Sequence, residues 1–465
     1  MQPPPLPAES SLPVRGFLRR IAISVKLGVI LVIALLLQIP LWMIDGLLRE
    51  RGARRDQAIA EITGSWGRAQ TLVGPILVVP YRAAVSAERV TVIDGRQVRT
   101  TEEKTHLAQA YFLPGQLQIG GDLAPSKRHR GIYDAVVYQG KIRISGTFEA
   151  LDPKTLSIPI ESLRWDQAWL AFGLTDLRGT SEDLAVTWND QPLSLQPSTR
   201  IDSLNTGLHA VLPKVDPAAP KQTFELTFSL NGSEAMAFVP LGKRTEVRLR
   251  STWIDPSFTG AFLPTEHTLA PEGFTATWKV SYYGRAFPQQ WTRMPEGPDT
   301  FIEEVQKSAF GVNLFTPVDS YRAVERARKY GALFITLVFT AFFLFEVLSA
   351  LRLHGFHYLL VGAALCLFYL GLLAGSEFLS FPVAYLSAAC ASTLLVGGYS
   401  RSILGRAHRS WLITGALAGI YAFLFFVLQL QDYALVAGTI ALFVVLGVVM
   451  YATRKVDWAG QPQAA

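Results

Sequence analysis

The chain has 465 residues, half of them hydrophobic and only 17% charged, with a formal net charge of +6. An average soluble protein carries about 25% charged residues, and this composition excludes a disordered, collagen-like or disulfide-scaffold chain. The basic excess is spread along the chain rather than gathered on one segment, which excludes nucleic acid as the partner class.

Charge is distributed unevenly. Residues 331–452 hold seven charged residues in 122, while 45–330 carry 33 basic and 32 acidic residues. The low average is therefore a mixture of a membrane part and a nearly neutral water-soluble part.

In chain order, residues 1–20 form a proline-rich, basic tail. Residues 21–44 are apolar apart from Lys26 and Gln38, long enough to cross a hydrocarbon core of about 30 Å. A signal peptide has an apolar stretch of about 7–15 residues and then a small-residue cleavage site. The run here is longer and ends Gln38-Ile39-Pro40-Leu41-Trp42, so it reads as an uncleaved anchor. Five further apolar runs follow at about 331–350, 357–375, 382–399, 411–429 and 433–452. They lack the amphipathic period of a soluble helical core, which makes six predicted transmembrane helices in a 1 + 5 arrangement. Residues 453–465 form the closing tail.

Short loops orient the chain. With the N-terminus inside, the short cytoplasmic pieces contain Arg15, Arg19, Arg20, Arg352, Arg401, Arg406, Arg409, Arg454 and Lys455, and the two short outer loops contain no Lys or Arg. Both termini are expected in the cytoplasm and residues 45–330 outside. Arg49, Arg51, Arg54 and Arg55, with Arg322, Arg326, Arg328 and Lys329, dissent, but they flank a large domain, where the charge rule is weak.

Residues 45–330 read as β. Apolar residues alternate in Lys141–Phe148, Thr223–Leu230 and Phe274–Tyr282, the pattern of a sheet with one buried face. Leu72–Pro80 is almost continuously apolar and suits a central strand. The expected fold is an α-helical membrane protein with a large all-β, sandwich-like extracytoplasmic domain. Both cysteines, Cys366 and Cys390, fall in spans, so the outer domain is stabilised by its core rather than by disulfides. Leu212–Lys221, with three prolines, is the candidate linker if that domain is double. Thr316-Pro317-Val318-Asp319 reads as a helix start, and one helix from Pro317 to Ala350 would be roughly 50 Å long. Leu47–Trp66 extends the first span in the same way. These segments are either rigid connectors or interfacial pieces with snorkelling arginines.

Catalytic motifs are absent: no G-x-S-x-G, H-E-x-x-H, C-x-x-C or G-x-G-x-x-G occurs. Leu241–Thr245 resembles the end of a phosphate loop but lacks the earlier glycine. His354 and His357 lack an evident third metal ligand. No catalytic, metal or cofactor site is expected. Glu346 is the sole acid inside a span, a coupling candidate by position, or a packing carboxylate paired with Arg352. Asp176 and Arg178 form either a tight turn with a local ion pair or part of a binding edge.

The segments Arg328-Lys329-Tyr330-Gly331, Phe342–Glu346, Arg352-Leu353-His354 and Tyr358–Gly362 resemble the CreD family. So do Leu72–Pro75, Asp176–Gly179, Ser251-Thr252-Trp253, Pro256-Ser257-Phe258 and Phe262-Leu263-Pro264 upstream. The resemblance runs from about 25 to 458. It implies a Gram-negative inner-membrane protein with a periplasmic domain, expressed within the Cre two-component response and tied to cell-envelope integrity and envelope stress. It brings no catalytic residues. The expected function is non-enzymatic binding or relay, with the lipid bilayer and a periplasmic protein or cell-wall component as partners. The alternatives are a proton-coupled transporter or membrane enzyme built around Glu346, and a modulator of a two-component sensor kinase.

Overall fold

The computed structural model describes residues 14–93, 96–156, 158–180, 184–204, 206–294, 300–314, 320–348, 353–404, 407–430 and 433–454. The helices are α1 (Val14–Leu36), α2 (Gln38–Trp66), α3 (Thr300–Lys307), α4 (Ser320–Lys329), α5 (Gly331–Leu348), α6 (Gly355–Ser376), α7 (Phe381–Leu404), α8 (Ala407–Gln429) and α9 (Ala434–Thr453). The strands are β1 (Gln70–Ile93), β2 (Arg96–Phe112), β3 (Gln116–Arg130), β4 (Tyr133–Glu149), β5 (Trp169–Leu174), β6 (Ala185–Trp188), β7 (Gln191–Leu193), β8 (Leu195–Pro197) and β9 (Gly207–Val211). They continue as β10 (Lys221–Ser233), β11 (Ala235–Phe238), β12 (Arg244–Ser251), β13 (Pro256–Gly260), β14 (Glu266–Ala270), β15 (Gly273–Ser281), β16 (Gln290–Arg293) and β17 (Phe310–Leu314). Two compact units result: Met1–Arg55 with Val318–Ala465, and Asp56–Pro317.

The first unit is a helical bundle. Among the described residues, four helices are long and apolar enough to cross a membrane: Val25–Trp66, Gly355–Ser376, Phe381–Ile403 and Ser410–Gln429. The pair Tyr321–Lys329 and Gly331–Val347 makes a fifth if taken as one broken span, and Val436–Tyr451 is a shorter apolar helix. α1 and α2 form one helix interrupted at Leu37, where Pro40 has no N–H to offer the carbonyl of Leu36. The helical extension expected for Leu47–Trp66 is present in α2.

The expected single helix from Pro317 to Ala350 is not. Residues 315–319, with the proposed cap, lie outside the described residues, and α4 and α5 meet at an angle of 48°. The bend falls where the sequence changes character. α4 ends in Arg326, Arg328 and Lys329, cations that suit a helix C-terminus. Tyr330 closes the turn by donating to the Ala327 carbonyl, and the predominantly apolar α5 starts at Gly331. A Cβ on Gly331 would lie 3.2 Å from Leu41 Cδ1, so the glycine permits close approach of the first helix at the corner.

The second unit is two sheets around one core. The nine-stranded sheet runs β13-β17-β11-β1-β5-β9-β8, with β2 pairing β1 and β16 pairing β2. The eight-stranded sheet runs β14-β15-β12-β3-β4-β10-β6-β7. The alternation read from sequence is the burial pattern of β4, β10 and β15: Ile142, Ile144, Phe224, Leu226, Phe228, Ala276 and Trp278 all face the core. The sheets meet through aromatic contacts, such as Trp278 in β15 against Phe310 in β17 at 5.7 Å between ring centroids. β1 is central, as its apolar run suggests, with parallel β11 at its start and antiparallel β5 and β2 along its length.

Leu212–Lys221 is a crossover between the sheets, not a linker between domains. Leu212 and Val215 are buried in the shared core, and Leu212 N donates to Ala168 O at 2.9 Å. The unit is also not purely β. It contains α3, whose Ile302 and Val305 are buried three positions apart on one face.

Candidate functional site

α5 places Glu346 near its last turn, with 5% of its surface exposed. The carboxylate is ion-paired with Lys26 of α1, which donates to Oε1. Leu353 N donates to the same oxygen at 2.9 Å, and Tyr358 Oη of α6 donates to Oε2 at 2.9 Å. Lys26 Nζ also donates to Leu353 O at 2.7 Å. Three helices thus close on one carboxylate. An uncompensated charge in low dielectric costs several kcal/mol, roughly, and persists only when paired and hydrogen-bonded. Both oxygens here are.

Arg352, the partner expected from sequence, lies outside the described residues. The partner shown is Lys26, a polar interruption of the first apolar run. A usable signal existed: Lys26 and Glu346 are the only charged residues within the six apolar runs. Buried membrane charges pair with one another, so that rule alone nominates the pair.

A second polar layer lies at the other end of the bundle. Arg328 Nε is 2.6 Å from Asp45 Oδ1, Arg49 is 3.6 Å from the same carboxylate, and Arg51 is 3.6 Å from Glu377. Tyr321 donates to Glu377 at 3.4 Å, and the Arg55 guanidinium lies over the Tyr321 ring. The two arginine clusters that dissent from the charge rule therefore include several cations neutralised locally by Asp45 and Glu377.

Lys26 and Asp45 are nineteen residues apart on one helix, and Tyr358 and Glu377 are nineteen apart on and just past α6. At 1.5 Å per residue that is about 28 Å, close to a hydrocarbon core of about 30 Å. The two polar layers are thus spaced by about one hydrocarbon thickness, with the Lys26–Glu346 pair in one layer.

Asp176 and Arg178 lie in the β-rich unit and form the local ion pair of the turn reading. Asp176 is buried; Arg178 Nη2 reaches its Oδ2 at 2.8 Å and Arg178 Nε its Oδ1 at 3.0 Å. The Arg178 hydrogen bond, aided by backbone N–H groups of Arg178 and Arg68, holds the Asp176 carboxyl below its ordinary value despite burial. Gln70 brackets the same residue: its Nε2 donates to Asp176 O at 3.0 Å, and Asp176 N donates back at 3.2 Å.

This turn is one side of a socket for the end of α2. The Trp66 indole donates to Tyr138 O at 3.3 Å, Arg128 stacks on its ring at 4.5 Å, and Arg130 pairs with Glu61 at 2.6 Å. The β3–β4 hairpin thus grips the last turns of the helix. Gly67 follows at φ +146°, and a Cβ there would lie 2.5 Å from Asn231 O. Tyr138 is fully buried and donates to Ala235 O at 2.8 Å; burial drives its phenol pKa far up.

His354 caps α6 by accepting from Phe356 N at 3.3 Å, and His357 Nδ1 lies 2.8 Å from Tyr399 Oη. Among the described residues no group of three or more His, Cys, Asp and Glu is arranged to hold a metal ion. The phosphate-loop-like segment is a turn into β12, in which Gly242 N donates to Thr245 Oγ1 at 3.0 Å.

The family model described as inner membrane protein CreD matches residues 22–459. The chain belongs to the CreD family. Inner membrane protein CreD of Escherichia coli (strain K12) is 33% identical over 424 residues, covering 91% of each chain. Membership in CreD and the long apolar helices together make this a multi-pass inner-membrane protein with a large β-rich domain. The CreD segments quoted from the sequence include the socket turn Asp176–Gly179 and the carboxylate Glu346.

Proposed function

We propose that this CreD-family chain is a non-enzymatic envelope protein whose β-rich domain lies in the periplasm, binds a cell-wall or protein partner, and passes that event to the membrane bundle as part of the envelope-stress response of the Cre two-component regulon. The observation that carries the reading is α2: one helix supplies residues to the bundle and ends in the β3–β4 grip at Trp66. In this reading Val436–Tyr451 and the bent α4–α5 pair also count as spans, giving six in a 1 + 5 arrangement with both termini cytoplasmic.

Glu346 serves packing. Its oxygens are occupied by Lys26, Leu353 N and Tyr358, and it lies in one of the two polar layers. A proton-coupled role needs a carboxylate that loses its partner during a cycle, and this one is held from three sides.

The test is complementation of an Escherichia coli strain lacking its own family member. A chain without residues 67–315 should reach the membrane at normal levels and fail to restore envelope tolerance; full tolerance overturns the reading. Ala53→Pro, on an exposed position of α2, removes a helical hydrogen bond at a cost of about 3 kcal/mol. It should leave both units folded and abolish tolerance. A periplasm-only reporter fused at Gly232 should be active, and silence there reverses the orientation.

A further inference from the structure

The β1–β2 hairpin outruns its sheet. Its two strands pair in unbroken register from Leu77↔Phe112 to Ile93↔Arg96. β5 accompanies β1 only as far as Val78, with one bridge from Tyr81 to Leu163 beyond it, and β16 accompanies β2 only over Gln109–Phe112. From Arg82 to Ile93 and back from Arg96 to Ala108 the hairpin is therefore, among the described residues, a two-stranded arm with both outer edges unpaired. At about 3.4 Å per residue the arm is roughly 40 Å long. A lone two-stranded hairpin is marginal in water, and a free edge is a template for a further strand. No proline occurs between Arg82 and Ala108 and no bulge interrupts the register, so two of the usual devices that block such an edge are missing. Leu107, at the foot of the arm, is 66% exposed.

The sequence of the edge selects its occupant. When a strand pairs antiparallel with its own copy about a twofold axis, each residue keeps its face of the sheet, so opposed positions are an even number of residues apart. Between Arg96 and Ala108 the Lys, Arg and acidic residues of β2 are Arg96, Arg99, Glu102, Glu103 and Lys104. Three such registers oppose an acid to a base: those centred on Arg99, on Thr101 and on Glu103. The first and last set Arg99 or Glu103 against itself, and like charges directly opposite are destabilising. The register centred on Thr101 sets Arg99 against Glu103 twice and Thr101 against Thr101, and no two like charges among these five residues meet. It also fits the free length. It runs from Arg96 to His106 on each copy and stops short of Gln109, where β16 takes the edge. The edge of β1 offers only Arg82 against Glu88, a register that brings Arg89 of the second copy to the position where Leu163 already pairs Tyr81.

We infer that β2 pairs antiparallel with β2 of a second copy of this chain, joining two β-rich units arm to arm about a twofold axis at Thr101. This self-association does not depend on the partner-binding role proposed above. The test is crosslinking of the full-length chain in isolated membranes, with Cys366→Ser and Cys390→Ser as the background. Thr101→Cys should give a covalent dimer with bismaleimidoethane, because each Thr101 opposes its own copy at about 4.5–5.5 Å between Cα atoms. Val98→Cys should give at least fivefold less, since its copy lies six residue steps along the second strand, roughly 20 Å away. Arg99→Glu in the Thr101→Cys chain should cut the dimer at least fivefold, and adding Glu103→Arg should restore it. Absence of a dimer at Thr101, equal yield at Val98, unchanged yield in Arg99→Glu, or failure of the charge exchange to restore the dimer in a chain present at normal levels each overturns the pairing.

Discussion

Lys26 and Glu346, 320 positions apart in sequence, form an ion pair that ties α1 to α5. Replacing Lys26 with Met leaves a buried carboxylate supported, among the described residues, by Tyr358 and Leu353 N alone, which should cost about 3–5 kcal/mol. The double variant Lys26→Met/Glu346→Met should be less destabilised than the sum of its singles, because no charge is left stranded. Denaturant unfolding in mixed micelles measures all three; additive effects would show that the pair is not coupled.

Glu346→Gln separates packing from proton coupling. Tyr358 can still donate to the amide oxygen, so envelope tolerance should persist at normal protein levels. Complete loss of tolerance with the protein present would restore the coupling role.

Tyr358→Phe removes one hydrogen bond to a charged acceptor and leaves the ion pair in place. The expected loss is about 1.5–3 kcal/mol, smaller than for Lys26→Met in the same assay.

Gly67→Ala should loosen the grip on α2. At φ +146° an L side chain is strained, and the added Cβ would meet Asn231 O at 2.5 Å. A loss of about 2 kcal/mol or more is expected, accompanied by a change in Trp66 fluorescence as its indole leaves Tyr138 and Arg128.

Asp176 gives the β-rich unit an acid-sensitive joint. Its folded pKa is depressed, chiefly by Arg178, so its contribution is complete above the unfolded value near 3.8 and is lost as pH falls through the lower folded value. Asp176→Asn should therefore flatten stability against pH below 3.8 and lower stability at neutral pH. A variant with unchanged acid sensitivity would remove the joint from this account.

The β-rich unit was legible because side-chain alternation has a period of two wherever one sheet face is buried, as Phe224, Leu226 and Phe228 show. α3 was not, since eight residues give only two turns and Ile302 and Val305 fit either element. The bend at Gly331 is only weakly signalled, because a single glycine after a basic turn is tolerated within a helix as well as ending one; the close approach of Leu41 makes the glycine useful there. Glu346 was found from its charge alone. Lys26 is legible in the same way, as the other charge inside an apolar run; which helices bring the two together is not, because sequence distance carries no information about helix packing. The Asp176–Arg178 pair needed only local geometry and was readable as a turn.

The two polar layers of the bundle also act as a ruler. Charges near Lys26 and near Asp45 are most stable close to water or headgroups, and about 28 Å of helix separates them. A thicker bilayer would have to thin around this protein or draw one layer into hydrocarbon, at a cost of fractions of a kcal/mol per Å of mismatch. The same carboxylates and cations that hold the helices together thereby set the membrane thickness in which the chain sits without strain.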